Sequence, residues 1–532
     1  MQEPRPEEAL GLINQIRLTV SLIASACTAF FILTILSLLT VAIYRLYLHP
    51  LSRIPGPRFA AVTNCWYAYQ VRNGRMLLLG KTIHKQYGPV VRVGPNEVWF
   101  NTKDAFRLIY GPTAGYEKSS FYLATALLKP KLDTQLSLQS PDTLDLLAER
   151  DMKRYRLQRR LIGPIYHTNN VKRHEHAVDT VLQQVVQQLR SLDGSEVDLK
   201  EWMHIITVEC LAAVSLSWSP GYLRDNSDGA SGRHAYMGWR RKSVLGIFPL
   251  AVILETFSRS AGRAFSYIWG VRYHTPKEGF KPFFPAVQRK IWQRIKASMR
   301  EKRQRDDRKD LAADLIQLHK DRPEFNIQYL RRMAITNFGA GHETMTSTLI
   351  STFSMIGSHV QAQKRVANEA LQCLDPISFD NAVRLPFTQA SIKEAQRLHP
   401  VIGMSLPRTV PEGGMTLDGL YLPRGTIVGC NPVSLHRNPD IFGSDAESFS
   451  PDRWLNSDDV RAMERYNLIW GGGARTCPGR NLAEMLVSKI IPALAKNFEI
   501  HVTIPPDNEM PYYFMAMMTG VRARFIPRSQ AV

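Results

Sequence analysis

The first strong pattern along the chain is uninterrupted apolarity. From Leu18 to Tyr44 there are 27 residues without a charge, bounded by Arg17 and Arg45. As a helix that run rises about 40 Å, enough to cross a hydrocarbon core of about 30 Å with some tilt. A cleaved signal peptide would share the Ala24-Ser25-Ala26 pattern. However, the preceding Glu3, Glu7 and Glu8 against Arg5 and Arg17 are not net basic, and the apolar run continues well past that site. The pattern therefore predicts a retained single-pass helix over 18–44 after a short lumenal segment, 1–17. Arg45, Arg53 and Arg58 follow it, so the positive-inside rule leaves the bulk of the chain in the cytosol.

Beyond the anchor the pattern changes. HPLSRIPGPRF (49–59) cannot continue a helix, because its prolines lock φ and remove donors, so 45–58 reads as a stiff linker. Val90–Phe100 (VVRVGPNEVWF) is two β-rich runs around a Gly-Pro turn, a hairpin candidate. Helical character dominates 150–162, 178–192, 284–305, 326–357, 362–374, 388–398 and 481–495. The stretch 405–430 alternates short strands with turns. The expected fold is mainly α with small β-sheets, one catalytic domain over 59–532 behind one transmembrane helix.

Composition narrows the partners. The 532 residues carry 67 Lys plus Arg against 47 Asp plus Glu, a formal charge of +20. Such an excess suits an acidic protein or acidic lipid. The basic residues are dispersed, apart from the sign-alternating REKRQRDDR (300–308), and no zinc-finger or RNA-binding spacing occurs, so nucleic acid is not expected. Cys27, Cys65, Cys210, Cys373, Cys430 and Cys477 form no CxxC pair, which suits a reducing compartment.

The chemistry concentrates near the C-terminus, in WGGGARTCPGR (470–480). A phosphate cradle would end in Gly-Lys-Ser/Thr, which is absent. A buried thiol, a nucleophile and a metal ligand remain. A thiolate is a soft donor for iron, and a haem ligand must reach from a closely approaching loop. Gly473 would let the backbone turn beside a porphyrin, Gly479 would let the next helix pack against the same plane, and Arg475 could fork to a propionate.

The spacing in this segment resembles the haem-thiolate signature of the cytochrome P-450 family, Phe-x-x-Gly-x-Arg-x-Cys-x-Gly. Trp470, Gly473, Arg475, Cys477 and Gly479 fit it, with tryptophan in the usual phenylalanine position. Two further segments match in order. AGHETM (340–345) resembles the family's oxygen-binding helix. The resemblance implies that small Ala340 and Gly341 make room for a diatomic ligand, and that Glu343 and Thr344 form an acid–alcohol pair delivering protons. The Thr344 hydroxyl is expected to bond a carbonyl one turn back. A zincin reading of His342-Glu343 fails, because Thr346 stands where HExxH needs its second histidine. EAQRLHP (394–400) resembles the family's Glu-x-x-Arg motif, so Glu394 and Arg397 should share one helix face and pair with Arg453 of FSPDRW (449–454). Tyr155, Arg159 and Arg408 stand where the family places further haem contacts. YRLYLHPLSRIPGP and YEKSSFY are similar to fungal microsomal members.

The resemblance implies a monooxygenase holding haem b on Cys477, reduced by NADPH through a flavoprotein reductase, possible cytochrome b5 assistance included, at the endoplasmic reticulum membrane. A haem-thiolate isomerase or dehydratase, and a haem-based sensor, are the rivals. The acid–alcohol pair argues against the first, and the lack of an output domain against the second. The substrate-lining segments by position are 116–135, 217–275, 333–344, 401–406 and 512–518. Phe338, Val401, Phe514 and Met517 imply a lipophilic small-molecule substrate.

Overall fold

The computed structural model describes residues 6–112, 115–132, 138–139, 141–272, 280–300, 309–456 and 460–528. The charge-alternating segment from 301 to 308 lies outside them.

The apolar run forms part of a longer helix, Pro6–Ile43, which continues as a wider π-helical turn over Tyr44–Leu48. The helix therefore starts within the segment expected to precede the membrane span. Among the described residues, Asn14–Leu48 is the one helix long and apolar enough to cross a membrane, with a mean hydropathy of 2.4. The next segment is less of a spacer than its prolines suggested. Leu51 and Ile54 are buried in the globule, Arg45 donates to the Val62 carbonyl at 2.7 Å, and Arg92 donates to the Arg45 carbonyl at 2.8 Å. Proline stiffness here serves a docked strap, so the anchor leaves the catalytic globule at a fixed point.

The hairpin forms as the pattern predicts: Val90–Gly94 and Glu97–Phe100 pair antiparallel. Ile427–Gly429 adds parallel to the second strand, followed by Arg408–Thr409 and Glu117–Lys118, so one small sheet gathers strands from three distant parts of the chain. A three-stranded sheet of Phe498–Thr503, Arg522–Pro527 and Glu196–Asp198 closes the other side. The remainder is largely helical, and the predicted helices form with ends shifted by a few residues, the 301–305 end of one of them lying outside the described residues.

Ile327–Ser358, the longest helix of the globule, runs through its centre. It starts cleanly because Asn326 caps the Gln328 and Tyr329 N–H groups. Its companion, Leu199–Leu216, is capped by Asp198 and is buried on nearly every side. That helix shows no polar face, so periodicity alone did not mark it. Where the two cross, a side chain at Gly341 would stand 3.0 Å from Leu211, so the glycine permits close helix packing.

Candidate active site

The loop that carries Cys477 is fixed by main-chain bonds before any cofactor is considered. The Cys477 N–H donates to the Trp470 carbonyl at 2.8 Å, and Thr476 Oγ1 donates to the Gly473 carbonyl at 2.7 Å. Gly473 has φ +56, and a Cβ there would meet the Gly111 and Tyr110 carbonyls at 2.6 and 2.7 Å. Its clearance therefore serves the seating of this loop on the 110–111 backbone. A Cβ at Gly479 would meet nothing within 4 Å. Burial pushes the Cys477 thiol above its usual range, while the Gly479 N–H and the charges of Arg159 and Arg480 pull the other way. Arg480 also stands 5.8 Å from the Trp470 ring centroid.

Around that cysteine the fold gathers cations, with Glu149 among the carboxylates in electrostatic reach. Arg475 donates to the Glu149 and Arg150 carbonyls at 2.5 and 2.7 Å, and its Nε is buried without a hydrogen-bond partner. Burial and the nearby charge of Arg408 push the Arg475 guanidinium down to about 10. Arg408 is buried, donates to the Leu406 and Pro407 carbonyls and the Tyr122 hydroxyl at 3.2–3.4 Å, and stands 5.3 Å from the Tyr110 ring centroid. Buried Lys118 is driven well below its ordinary value by burial, then by Arg475 and Arg408. Buried Tyr155 lies under Arg475, 4.3 Å from ring centroid to guanidinium, and within electrostatic reach of Arg159, Arg408 and Cys477. Sequence reasoning did not single out Lys118, although it lies within YEKSSFY.

On the central helix, Thr344 Oγ1 donates to the Ala340 carbonyl at 2.7 Å, the bond expected from the sequence. Ala340 is exposed although Phe338, His342 and Glu343 beside it are buried. Glu343 is buried and turns to Trp239 on Ser231–Gly246; burial raises its carboxyl to about 7, against the Trp239 bond and the charges of Lys242 and Lys200. The two members of the acid–alcohol pair thus point to different partners. Tyr166 ties this region to the cysteine's helix: its hydroxyl donates to Asn337, and Asn481 donates to its carbonyl at 2.8 Å.

Glu394 and Arg397 are both fully buried and form a bidentate pair, 2.8 Å on each arm. Arg453 donates to Glu394 at 3.1 Å, and the Trp454 indole donates at 2.9 Å. His436 joins this cluster to the cysteine loop, its Nδ1 3.1 Å from the Arg397 carbonyl and its Nε2 accepting from the Leu468 N–H at 2.9 Å. A lone histidine in SLHRNP gave no sequence signal for that role.

A cavity of about 330 Å³ opens near the strap, lined by Arg45, Phe121, Ile247, Phe248, Met404 and Ser405 among others. It brings together three of the segments expected to contact substrate. Phe514 lies behind its wall, 5.2 Å from Phe121. Phe338 instead packs on Phe283, with ring centroids 5.7 Å apart.

Arg408 and Arg475 make no ion pair among the described residues, and with a cysteine at the same site they suit an anionic prosthetic group of the haem-thiolate class. The cytochrome P-450 family model matches residues 55–523, and the chain belongs to the cytochrome P-450 family. It is 56% identical to the cytochrome P-450 monooxygenase sdnT of Sordaria araneosa, across 95% of this chain and 96% of that protein. It is 26% identical to the monooxygenase gsfF of Penicillium aethiopicum (91% and 95% covered) and 27% to a pisatin demethylase of Fusarium vanettenii (93% and 94%). The chain is a fungal-type cytochrome P-450 monooxygenase with a candidate N-terminal membrane anchor.

Proposed function

We propose that the enzyme holds haem b on the Cys477 thiolate and inserts one oxygen atom into a lipophilic small molecule of fungal secondary metabolism. The arginine cluster around Cys477, in which Arg408 and Arg475 make no ion pair among the described residues, is the observation that carries this reading. Bound haem supplies oxygen activation at its iron. Arg475, Arg408 and Arg159 would hold its propionates, with Tyr155 and Trp470 as packing neighbours. Thr344 would hold a proton at Oγ1 and Glu343 would replenish it, since a carboxyl near 7 exists in both forms at neutral pH. Electrons would come from NADPH through an acidic flavoprotein reductase, with cytochrome b5 as a second donor, which the +20 charge favours.

Thr344→Ala tests the proton route. Losing a positioned general acid costs roughly 10²–10⁴-fold. With a fungal reductase, the variant should still oxidise NADPH and consume oxygen, but it should release more hydrogen peroxide and less water or product. Wild-type partitioning would show that Thr344 serves only the helix.

The endoplasmic reticulum membrane is the proposed site, with the catalytic domain in the cytosol. On Pro249–Phe257, Leu250, Leu254 and Phe257 repeat at helical spacing and are all exposed. They form a second apolar contact suited to a lipid surface. Deleting residues 1–43, which spares the docked Arg45, should free the protein from the integral fraction and leave salt-resistant peripheral binding to vesicles. Adding Leu250→Ser, Leu254→Ser and Phe257→Ser should abolish that residual binding; unchanged binding would assign it elsewhere.

A further inference from the structure

Glu343 is buried in the centre of the molecule, yet the contact fixing it is an indole. Its Oε2 accepts the Trp239 Nε1–H at 2.5 Å, while Oε1 is buried without a hydrogen-bond partner. Lys242 and Lys200 act on it through space, and His342 beside it on the helix turns instead to the Phe338 carbonyl at 2.7 Å. His204, paired with Asp228 at 2.8 Å, packs against His342.

We propose that Trp239 is the positioning residue of the proton donor Glu343, and that through Phe514 it ties the donor to the cavity lined by Phe121 and Met404. The inference rests on the reading of Glu343 as a proton donor given above. An indole N–H donates and cannot accept. Its bond therefore commits Oε2 to accepting, and the exchangeable proton of Glu343 resides on Oε1, the oxygen left free. A lysine or arginine in the same place would hold the carboxylate ionised; the neutral indole leaves it able to titrate near neutrality.

The indole is itself fixed from the cavity side. Its ring lies 5.6 Å from Phe514, which lies 5.2 Å from Phe121 in the cavity wall. One turn along the helix, Ser243 Oγ donates to the Trp239 carbonyl at 2.6 Å and accepts from the Phe514 N–H at 3.0 Å. Side chain and main chain thus link the same two residues. An occupant that displaces Phe121 or Phe514 is felt at the indole, and through it at Glu343.

The test uses the full-length, haem-loaded enzyme in detergent, labelled with 5-fluorotryptophan. The Trp239 line is assigned by its loss in Trp239→Phe. It should move in Glu343→Leu and in Phe514→Leu while the other lines stay. In NADPH oxidation with a fungal reductase, Trp239→Phe should raise the peroxide-to-water ratio by about 10- to 100-fold, the scale expected for a misplaced catalytic group. The double variant with Glu343→Leu should be no worse than Glu343→Leu alone, because the two act as one unit. Haem content and the ferrous–carbon monoxide spectrum check that each variant folds. A Trp239 line unmoved in Glu343→Leu, or a wild-type ratio in Trp239→Phe beside an uncoupled Glu343→Leu, overturns the positioning role alone. A line unmoved in Phe514→Leu overturns the tie to the cavity. A wild-type ratio in Glu343→Leu overturns the donor reading, and this inference with it.

Discussion

Cys477→Ser is expected to abolish the red-shifted Soret band of the ferrous–carbon monoxide complex and to leave at most weakly held haem. An alcohol is a hard, poor donor to iron, so the loss should be complete rather than graded. The substitution is conservative for the fold, because the loop is held by the Cys477 N–H to Trp470 bond and the Thr476–Gly473 bond, neither of which uses the sulfur. Cys430 is the matched control. It is fully buried, its thiol is pushed far up by burial, and its N–H donates to the Tyr110 hydroxyl oxygen at 2.9 Å. Cys430→Ser should keep the band. A band that survives in Cys477→Ser would remove Cys477 as the ligand, and the arginine cluster around it would then need another anion.

Short motifs made the family legible, because the chemistry fixes residue types at close spacing: a cysteine between glycines, a threonine that can bond back to Ala340, a Glu-x-x-Arg pair. Alternation and turn residues likewise exposed the Val90–Phe100 hairpin. What escaped was whatever depends on distant packing. Leu199–Leu216 is buried all round and so lacks a polar face to reveal it. Trp239 sits on Ser231–Gly246, whose glycines and arginines blur the apolar stripe, and nothing local couples it to Glu343 104 positions away. Gly473 was marked by its motif, and its positive φ supplies a tight turn, but its packing on the 110–111 backbone left no local signal. The linker at 45–58 reads as a spacer because burial of Leu51 and Ile54 is decided by the surface they dock on.

Glu394→Ala should cost folding and haem retention rather than rate alone. The carboxylate is fully buried and accepts from Arg397 on both oxygens, from Arg453, from the Trp454 indole and from the Ser450 N–H at 2.9 Å. Burial opposes its charge, but the bonds and charge of Arg397, with Ser450 and Arg453, outweigh that and hold the carboxyl below its ordinary value. Truncation leaves the buried Arg397 without its counter-charge, a loss of about 3–5 kcal/mol. The consequence travels to the haem site, because Arg397 also donates to the His436 carbonyl and to Ala446 at 2.6 Å, and His436 pins the Leu468 N–H just before the cysteine loop. The sign of the pH dependence follows from the depressed folded value. The stabilisation is present above the ordinary carboxyl value of 4.5 and is lost as pH falls through the lower folded value. Wild-type protein should therefore lose haem cooperatively in acid, whereas Glu394→Ala should be weak already at neutral pH and less acid-dependent. Thermal unfolding and Soret absorbance across pH 3–8 would measure both, and a stable, haem-replete Glu394→Ala would reduce the cluster to an ordinary contact.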